Sequence, residues 1–463
     1  MAGHGARRAL PAVQRGRVTM SIDFTDEGLT TSAATPVSVA DPAVRLASNL
    51  DLDQRINGRL RRGEPVLHLG FGESRLPLNP GLIEHLSAGT GLTAYGPVAG
   101  RVGPREAVAG YFARRGLPTS AEDVVLSPGS KPLLLAIIAA VPGDVILSRP
   151  AWVTYEPQAS LLGRRVIRVP IPPKIGGVPD PDLLLAAIAG ARAQGANPRI
   201  LILTSPDNPT GTTADPATIH RLANVAEQED LVIVFDEIYR DVIFDQAVRY
   251  LSPAQLVEHR TVVVTGLSKS LALGGWRIGA ARFSSDSHGR LIRKRVIGAA
   301  SQMWSNAPGP MQAVAEYAFA EPADLVAHRE QSTRLHGAVA VAAHGAFRAA
   351  GARVRVPTGG FYVYPDFRPL ARPLASLGVT DSASLEHFLL ETMGIAVLGG
   401  HHCGDDPRAL RFRAATSLLY GSTDEERWHT LRAADPTALP HIATALQRIA
   451  SIGPRIAELA ALP

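Results

Sequence analysis

Apolar residues fall into two patterns along this chain. Short unbroken runs rich in β-branched residues occur at DVVLS (123–127), DVILS (144–148), RVIRV (165–169), ILILT (200–204), LVIVFD (231–236) and TVVVTG (261–266). Between them lie longer stretches, such as SKPLLLAIIAA, PDLLLAAIAGARAQ and ADPATIHRLANVAEQE, that read as helices. Continuous apolar strands separated by helices predict a mostly parallel sheet with helices on both faces, because each strand must bury both of its sides. Residues 76–320 are therefore expected to form one large α/β domain. A long helical pattern follows from Ser305 to Val354, and then RVRVP, GGFYVYPDF and ALRFRAATS read as strands, with helix SASLEHFLLETMG between the last two. That arrangement predicts a smaller α+β domain over 321–463. Segment 41–75 is expected to pack on the small domain or to reach toward a partner subunit. Residues 1–40 lack a steady period and are expected to form a disordered tail.

Composition narrows the function classes. A chain of 463 residues, 46% of them hydrophobic, supports a large buried core. The net charge of +5 comes from arginines scattered along the chain, whereas a nucleic-acid binder concentrates them on one face or tail. No apolar run approaches the roughly 18–20 residues that cross a bilayer. The N-terminal MAGHGARRALPAVQRGRVTM is basic without an apolar core, so it is a poor signal peptide, and Met20 is an alternative start. The single cysteine, Cys403, rules out an internal disulfide and fits a cytoplasmic protein. Lysine is scarce: Lys131, Lys174, Lys269 and Lys294 are the only four. Arginine stays protonated near neutral pH, so any amine chemistry must use one of these four.

Ligands of open α/β sheets gather at the carboxyl ends of the strands. After DVVLS, Gly129, Ser130 and Lys131 open a helix and offer an anion cradle of backbone N–H groups and a hydroxyl. After DVILS comes Trp152, whose face could cover a flat ring. After ILILT comes Asn208-Pro209-Thr210-Gly211, which is also a turn former in its own right. Asp236 ends an apolar strand at a depth where an unpaired carboxylate is costly, and Tyr239 follows three residues on. Lys269 follows TVVVTG, and Arg277 follows eight residues later. One ligand answers all of these groups: an aromatic aldehyde phosphate with a basic ring nitrogen, held by lysine at the aldehyde and by the acid at the nitrogen.

SK followed by GWRIG, together with NPTG and FDEIY at these separations, resembles the class I/II aminotransferases, pyridoxal-phosphate enzymes of fold type I. The resemblance runs from about residue 64 to the C-terminus. It implies a homodimer with active sites at the subunit interface, acting on an amino acid and a 2-oxo acid. By that resemblance Lys269 is the Schiff-base lysine, Asp236 the partner of the pyridine nitrogen, and Asn208 and Tyr239 the partners of the ring hydroxyl. Gly129, Ser130, Lys131, Ser268 and Arg277 match phosphate-binding positions, and Trp152 the stacking aromatic. Tyr95, in TAYGPVAGRVGPRE, would reach the neighbouring subunit's phosphate. Arg411 is favoured over Arg413 as the grip on the substrate α-carboxylate, because of its spacing to Ala415-Thr416-Ser417. Gly72 matches the glycine of the substrate loop.

The chain departs from the family pattern at that loop and at one other. GFGESRLPL puts Ser74 and Arg75 where proline and aspartate are usual, so an extra cation is expected at the mouth. VLGGHHCG puts Gly399 and Cys403 in place of proline and phenylalanine, with His401 and His402 between them. No spaced carboxylate or cysteine set completes a metal site with this pair, so no metal is expected. These changes fall where the family contacts substrate. They suggest specialised metabolism, or an alternative outcome on the same cofactor: β- or γ-elimination or replacement, or C–C bond formation, with S-adenosylmethionine among the possible substrates. A cofactor-sensing DNA-binding regulator would need a winged-helix module upstream, and the tail before residue 41 is too short and irregular for one.

Overall fold

The computed structural model describes residues 47–172 and 175–462. The expected tail, the alternative start at Met20 and Lys174 lie outside the described residues. Seven strands form the central sheet: β1 Val124–Pro128, β2 Asp144–Arg149, β3 Val166–Pro170, β4 Pro198–Thr204, β5 Val232–Asp236, β6 Thr261–Gly266 and β7 Ile278–Arg282. Their order is β1-β7-β6-β5-β4-β2-β3, parallel except for β7, which runs antiparallel to both neighbours. The six apolar runs read from the sequence each overlap one of the first six strands. β7 was not foreseen, because IGAAR carries a single β-branched residue.

Alternation along these strands builds the core. Val145, Leu147, Val232, Val234, Val262 and Val264 face one side, against helices Ser130–Ala140 and Ser287–Met303. Ile146, Leu201, Leu203, Ile233 and Phe235 face the other, against Pro181–Ala193 and Pro216–Gln228. Both faces are apolar, which is why the strands read as unbroken hydrophobic runs.

A second core gathers Leu67, Leu69, Val339, Phe347, Phe367, Leu389 and Phe412. Its strands are very short: Leu67–His68 pairs in parallel with Ile395–Ala396, and Leu398–Gly399, Phe412–Ala415 and Tyr362–Val363 form a three-stranded antiparallel sheet. RVRVP is not a strand; Arg353 makes only an isolated bridge with Asp366. The long helical pattern splits into Gly309–Ala320 and Ala323–Ala349, because Glu321 takes a left-handed φ of 58° ahead of Pro322, whose ring cannot continue a helix. Ile238 and Tyr239 at the end of β5 pack with Phe361, Tyr362 and Ala415, which joins the two cores beside the strand ends.

Candidate active site

A cavity of about 480 Å³ opens at the carboxyl ends of the parallel strands. Each turn places one group there. β5 ends on Asp236, whose side chain is 3% exposed and lines the cavity floor. Its Oδ2 accepts a 2.7 Å hydrogen bond from the Tyr155 hydroxyl, and its Oδ1 accepts from the Ile238 N–H at 3.1 Å. Burial pushes this carboxyl up to about 6, against the pull of those hydrogen bonds and of the Lys269 charge. A buried acid so poised gains most from a cationic partner.

Lys269, three residues beyond Gly266 at the end of β6, donates from Nζ to the Gly72 carbonyl at 2.5 Å. Burial, then the charge of Arg413, lowers its ammonium to about 8. A sizeable share of neutral, nucleophilic amine is therefore present near pH 8.

Gly129 has a left-handed φ of 84°, and a Cβ there would run into the Arg277 guanidinium. The turn is thus a close-fitting cradle, with Ser130, Ser268, Lys131 and Arg277 in the cavity wall. Arg277 itself holds a φ of 58°, a conformation that costs a non-glycine residue of order 1–3 kcal/mol and marks a constrained site. Lys131 is pushed below its usual value by burial and then by Arg277. Two cations crowd one cradle. Among the described residues, Lys131, Lys269, Arg277 and Arg413 all lack a carboxylate within ion-pair distance, yet all line this cavity.

Trp152 also lines the cavity, with the Lys131 ammonium 5.4 Å from its ring centroid. Asn208 is carried by the 207–211 turn, in which the Asp207 carboxylate accepts from the Thr210 N–H and hydroxyl. Its Nδ2 donates to the Tyr239 hydroxyl at 3.4 Å, while its Oδ1 accepts from Arg413 at 3.1 Å. Gly72 is present in the wall as expected.

Four expectations are corrected. Arg411 does not reach the cavity: its Nε and Nη2 lie 2.9 Å from the Asp405 carboxylate. Arg413 does reach it. Two residues further along an extended strand is an advance of about 7 Å, enough to separate the two guanidiniums' surroundings. Arg413 is 1% exposed, donates to the Gly70 carbonyl at 2.7 Å, and leaves its Nε without a partner among the described residues. Arg75 adds no free cation at the mouth, because it pairs with Glu73 at 3.1 Å and stays out of the wall. The loop bearing His401, His402 and Cys403 does not line the cavity either. Cys403 is buried against Leu52, Val153 and Leu398, and its carbonyl accepts from the Ala151 N–H. Nor is the histidine pair without a carboxylate, since folding brings Glu386 beside it.

Tyr95 is 90% exposed and contributes nothing to this chain's own cavity. Tyr155, Tyr362, Glu73, Asn49 and Leu50 were missed by the sequence reading. The phenols of Tyr239 and Tyr362 sit 2.7 Å apart. Tyr155 stands three residues after Trp152 at the start of a helix, a position indistinguishable in sequence from ordinary core.

The sequence model described as aminotransferase class I and II matches residues 65–418. The chain belongs to this family. As a class I/II aminotransferase it is a pyridoxal-phosphate-dependent transferase of fold type I. It is 30% identical to the aspartate/prephenate aminotransferase of Thermus thermophilus over 323 residues, 67% of this chain and 76% of that protein. It is also 30% identical to the arginine–pyruvate transaminase of Pseudomonas aeruginosa, over 77% of this chain and 87% of that one. The solved Thermus thermophilus aspartate aminotransferase with maleate superposes with a TM-score of 0.74 at 26% identity, covering 88% of this chain and 97% of that one. The residues fit the family's cofactor: the cradle and its two unpaired cations suit a phosphate, and the buried acid suits a protonated ring nitrogen.

Proposed function

We propose that this aminotransferase moves an amino group between an α-amino acid and a 2-oxo acid, with Lys269 as the base and Arg413 as the carboxylate grip. The observation that carries this reading is the surplus of four unpaired cations over one cavity acid that is itself without a cationic partner. A ligand set of one phosphate and one carboxylate balances them. Pyridoxal phosphate, when bound, supplies an aldehyde that takes up the amino group and a ring that draws electrons from the substrate α-carbon.

The remaining work falls to side chains. Gly129, Ser130, Lys131, Ser268 and Arg277 bind the phosphate through backbone N–H groups, hydroxyls and charge. Asp236 holds the proton on the ring nitrogen, and Tyr155 and the Ile238 N–H orient its carboxylate. Trp152, in the cavity wall, would hold the ring by stacking. Asn208 and Tyr239 hydrogen-bond the ring hydroxyl; burial, then the neighbouring Tyr362, keeps Tyr239 protonated as a donor. Arg413, already oriented by Asn208 and Gly70, takes the substrate carboxylate and presents the α-hydrogen to Lys269 Nζ, which removes it. Asn49 and Leu50, from helix Ser48–Arg61, cover part of the cavity and limit water. Tyr95, an exposed aromatic, serves a second copy's phosphate in a homodimer.

Transamination is favoured over elimination or C–C bond formation because the departures from the family pattern lie outside the wall. Ser74, Arg75, Gly399 and Cys403 are not among the lining residues. The test is incubation of purified enzyme with aspartate, glutamate or arginine, with and without a 2-oxo acid acceptor. Acceptor-dependent formation of the new amino acid is expected. Release of ammonia or a leaving group without an acceptor overturns the reading.

A further inference from the structure

The histidine pair finds a carboxylate across the fold. Glu386 lies on helix Ser382–Met393, and His401 and His402 lie in the loop after strand Leu398–Gly399. One ring nitrogen from each histidine and one Glu386 oxygen lie within 4.8 Å of one another. His402 Nε2 is 3.2 Å from Glu386 Oε2. Neighbours hold two of the three groups. Glu386 Oε2 accepts from the Gly399 N–H at 2.6 Å, and His401 Nδ1 is 3.0 Å from Ser382 Oγ. Outer contacts of this kind orient metal ligands.

Gly399 makes the approach possible. A Cβ at that position would stand 2.6 Å from the His401 ring and 2.8 Å from Glu386 Oε2. The proline usual in the family would fill the space and would also remove the N–H that Glu386 accepts. The glycine that stands in place of the usual proline and the two histidines thus meet in one cluster. The cluster opens on a cleft of about 400 Å³, and Asp51 and Arg55 of helix Ser48–Arg61 face it from the other side.

We propose that Glu386, His401 and His402 form a site for a divalent transition-metal ion of the zinc type, completed by water from the cleft. Two imidazoles and one carboxylate suit zinc, cobalt or nickel, and three protein ligands leave a fourth position open. Bonds of about 2.1 Å require the three ligand atoms to draw together to about 3.4 Å, within reach of small side-chain rotations. The bound ion ties helix Ser382–Met393 to the loop that receives the Ala151 N–H at Cys403, one residue from Trp152.

The experiment uses untagged full-length holoenzyme, titrated with zinc against a chromophoric chelator and, separately, with cobalt(II) followed by visible absorption. Wild type is expected to bind one equivalent more per chain than either Glu386→Gln or the double variant His401→Gln/His402→Gln, with at least about ten-fold weaker binding in each. A cobalt band of low-coordinate intensity should accompany that equivalent. Retained cofactor absorbance shows that a variant is folded, and if one fails this check the other is read. Equal zinc stoichiometry and affinity in wild type and a folded variant overturns the site, as does cobalt uptake whose spectrum the substitutions leave unchanged. Neither readout depends on amino transfer.

Discussion

The two walls of the cavity are built differently. The strand-end wall hangs on five parallel strands whose register is fixed by a core on both faces. Asp236 and Lys269 sit at or just past the last paired residue of their strands. The opposite wall, with Gly72, Glu73 and Arg413, and with Tyr362 bonded to Tyr239, rests on strands of two to four residues and on loops tied by single hydrogen bonds. Arg413 holds Gly70, the Ser417 hydroxyl holds the Glu73 carbonyl, and Lys269 reaches across to Gly72. The first wall is a rigid platform for the cofactor; the second is adjustable and faces the substrate. Substitutions in the first should therefore remove chemistry, and those in the second should change substrate affinity.

The largest effect is expected for Lys269→Ala. Turnover should fall by about 10²- to 10⁴-fold, the range associated with losing a positioned base. Borohydride should no longer fix cofactor to the chain, as judged by intact mass. Cofactor still fixed to this variant would move the amine elsewhere. Asp236→Ala comes next: it should retain cofactor while single-turnover rates drop about 10²- to 10³-fold, the scale of losing one preorganised electrostatic group.

On the opposite wall, Arg413→Lys should raise KM more than it lowers kcat, at a cost of about 2 kcal/mol or more in kcat/KM. Arg411→Lys, which disturbs only the Asp405 pair, should stay within about 1 kcal/mol. Equal effects from the two would erase the assignment of Arg413.

The lowered Lys269 amine gives a pH test. Only its neutral form attacks an aldehyde, so cofactor capture by the apo-enzyme should rise with pH and level off above about 8. A rise continuing to the ordinary lysine range would contradict the burial of this group. The smallest effect is expected for Tyr155→Phe. Loss of the hydrogen bond to Asp236 costs about 1 kcal/mol. Because that bond favours the ionised carboxylate, its removal raises the Asp236 value, and the acid limb of kcat/KM should move to higher pH.

This contrast also sets what could be read before the structure. Asp236, Lys269, Asn208, Trp152 and the Gly129 turn were legible because each follows an apolar run whose end is visible in the sequence. Arg413 was weighed and passed over for Arg411: both are arginines in ALRFRAATS, and a strand only four residues long carries no pattern that says where it enters the cavity. Tyr362 sits in FYVY, where either tyrosine could face inward. Glu386 was invisible as a partner of His402, since the two lie on separate elements and nothing in their spacing announces the meeting. β7 escaped because alanine and glycine dominate it, and those small residues are there for a reason: a Cβ at Gly279 would collide with the Gly129 carbonyl carbon and stand 2.5 Å from the Ser130 nitrogen.

That insertion of β7 has a bearing on how the molecule is made. During synthesis β1 emerges early, but among the described residues its one strand neighbour in the sheet is β7, which leaves the ribosome only after five other strands. Until then the first strand has no ladder, and the glycine turn that receives the phosphate has no backing. A nascent chain halted before Ile278 would carry most of the α/β core and still lack the strand that lies against the phosphate turn. The turn that faces the phosphate is thus among the last parts of the sheet to be braced, a consequence of the order in which the strands arrive.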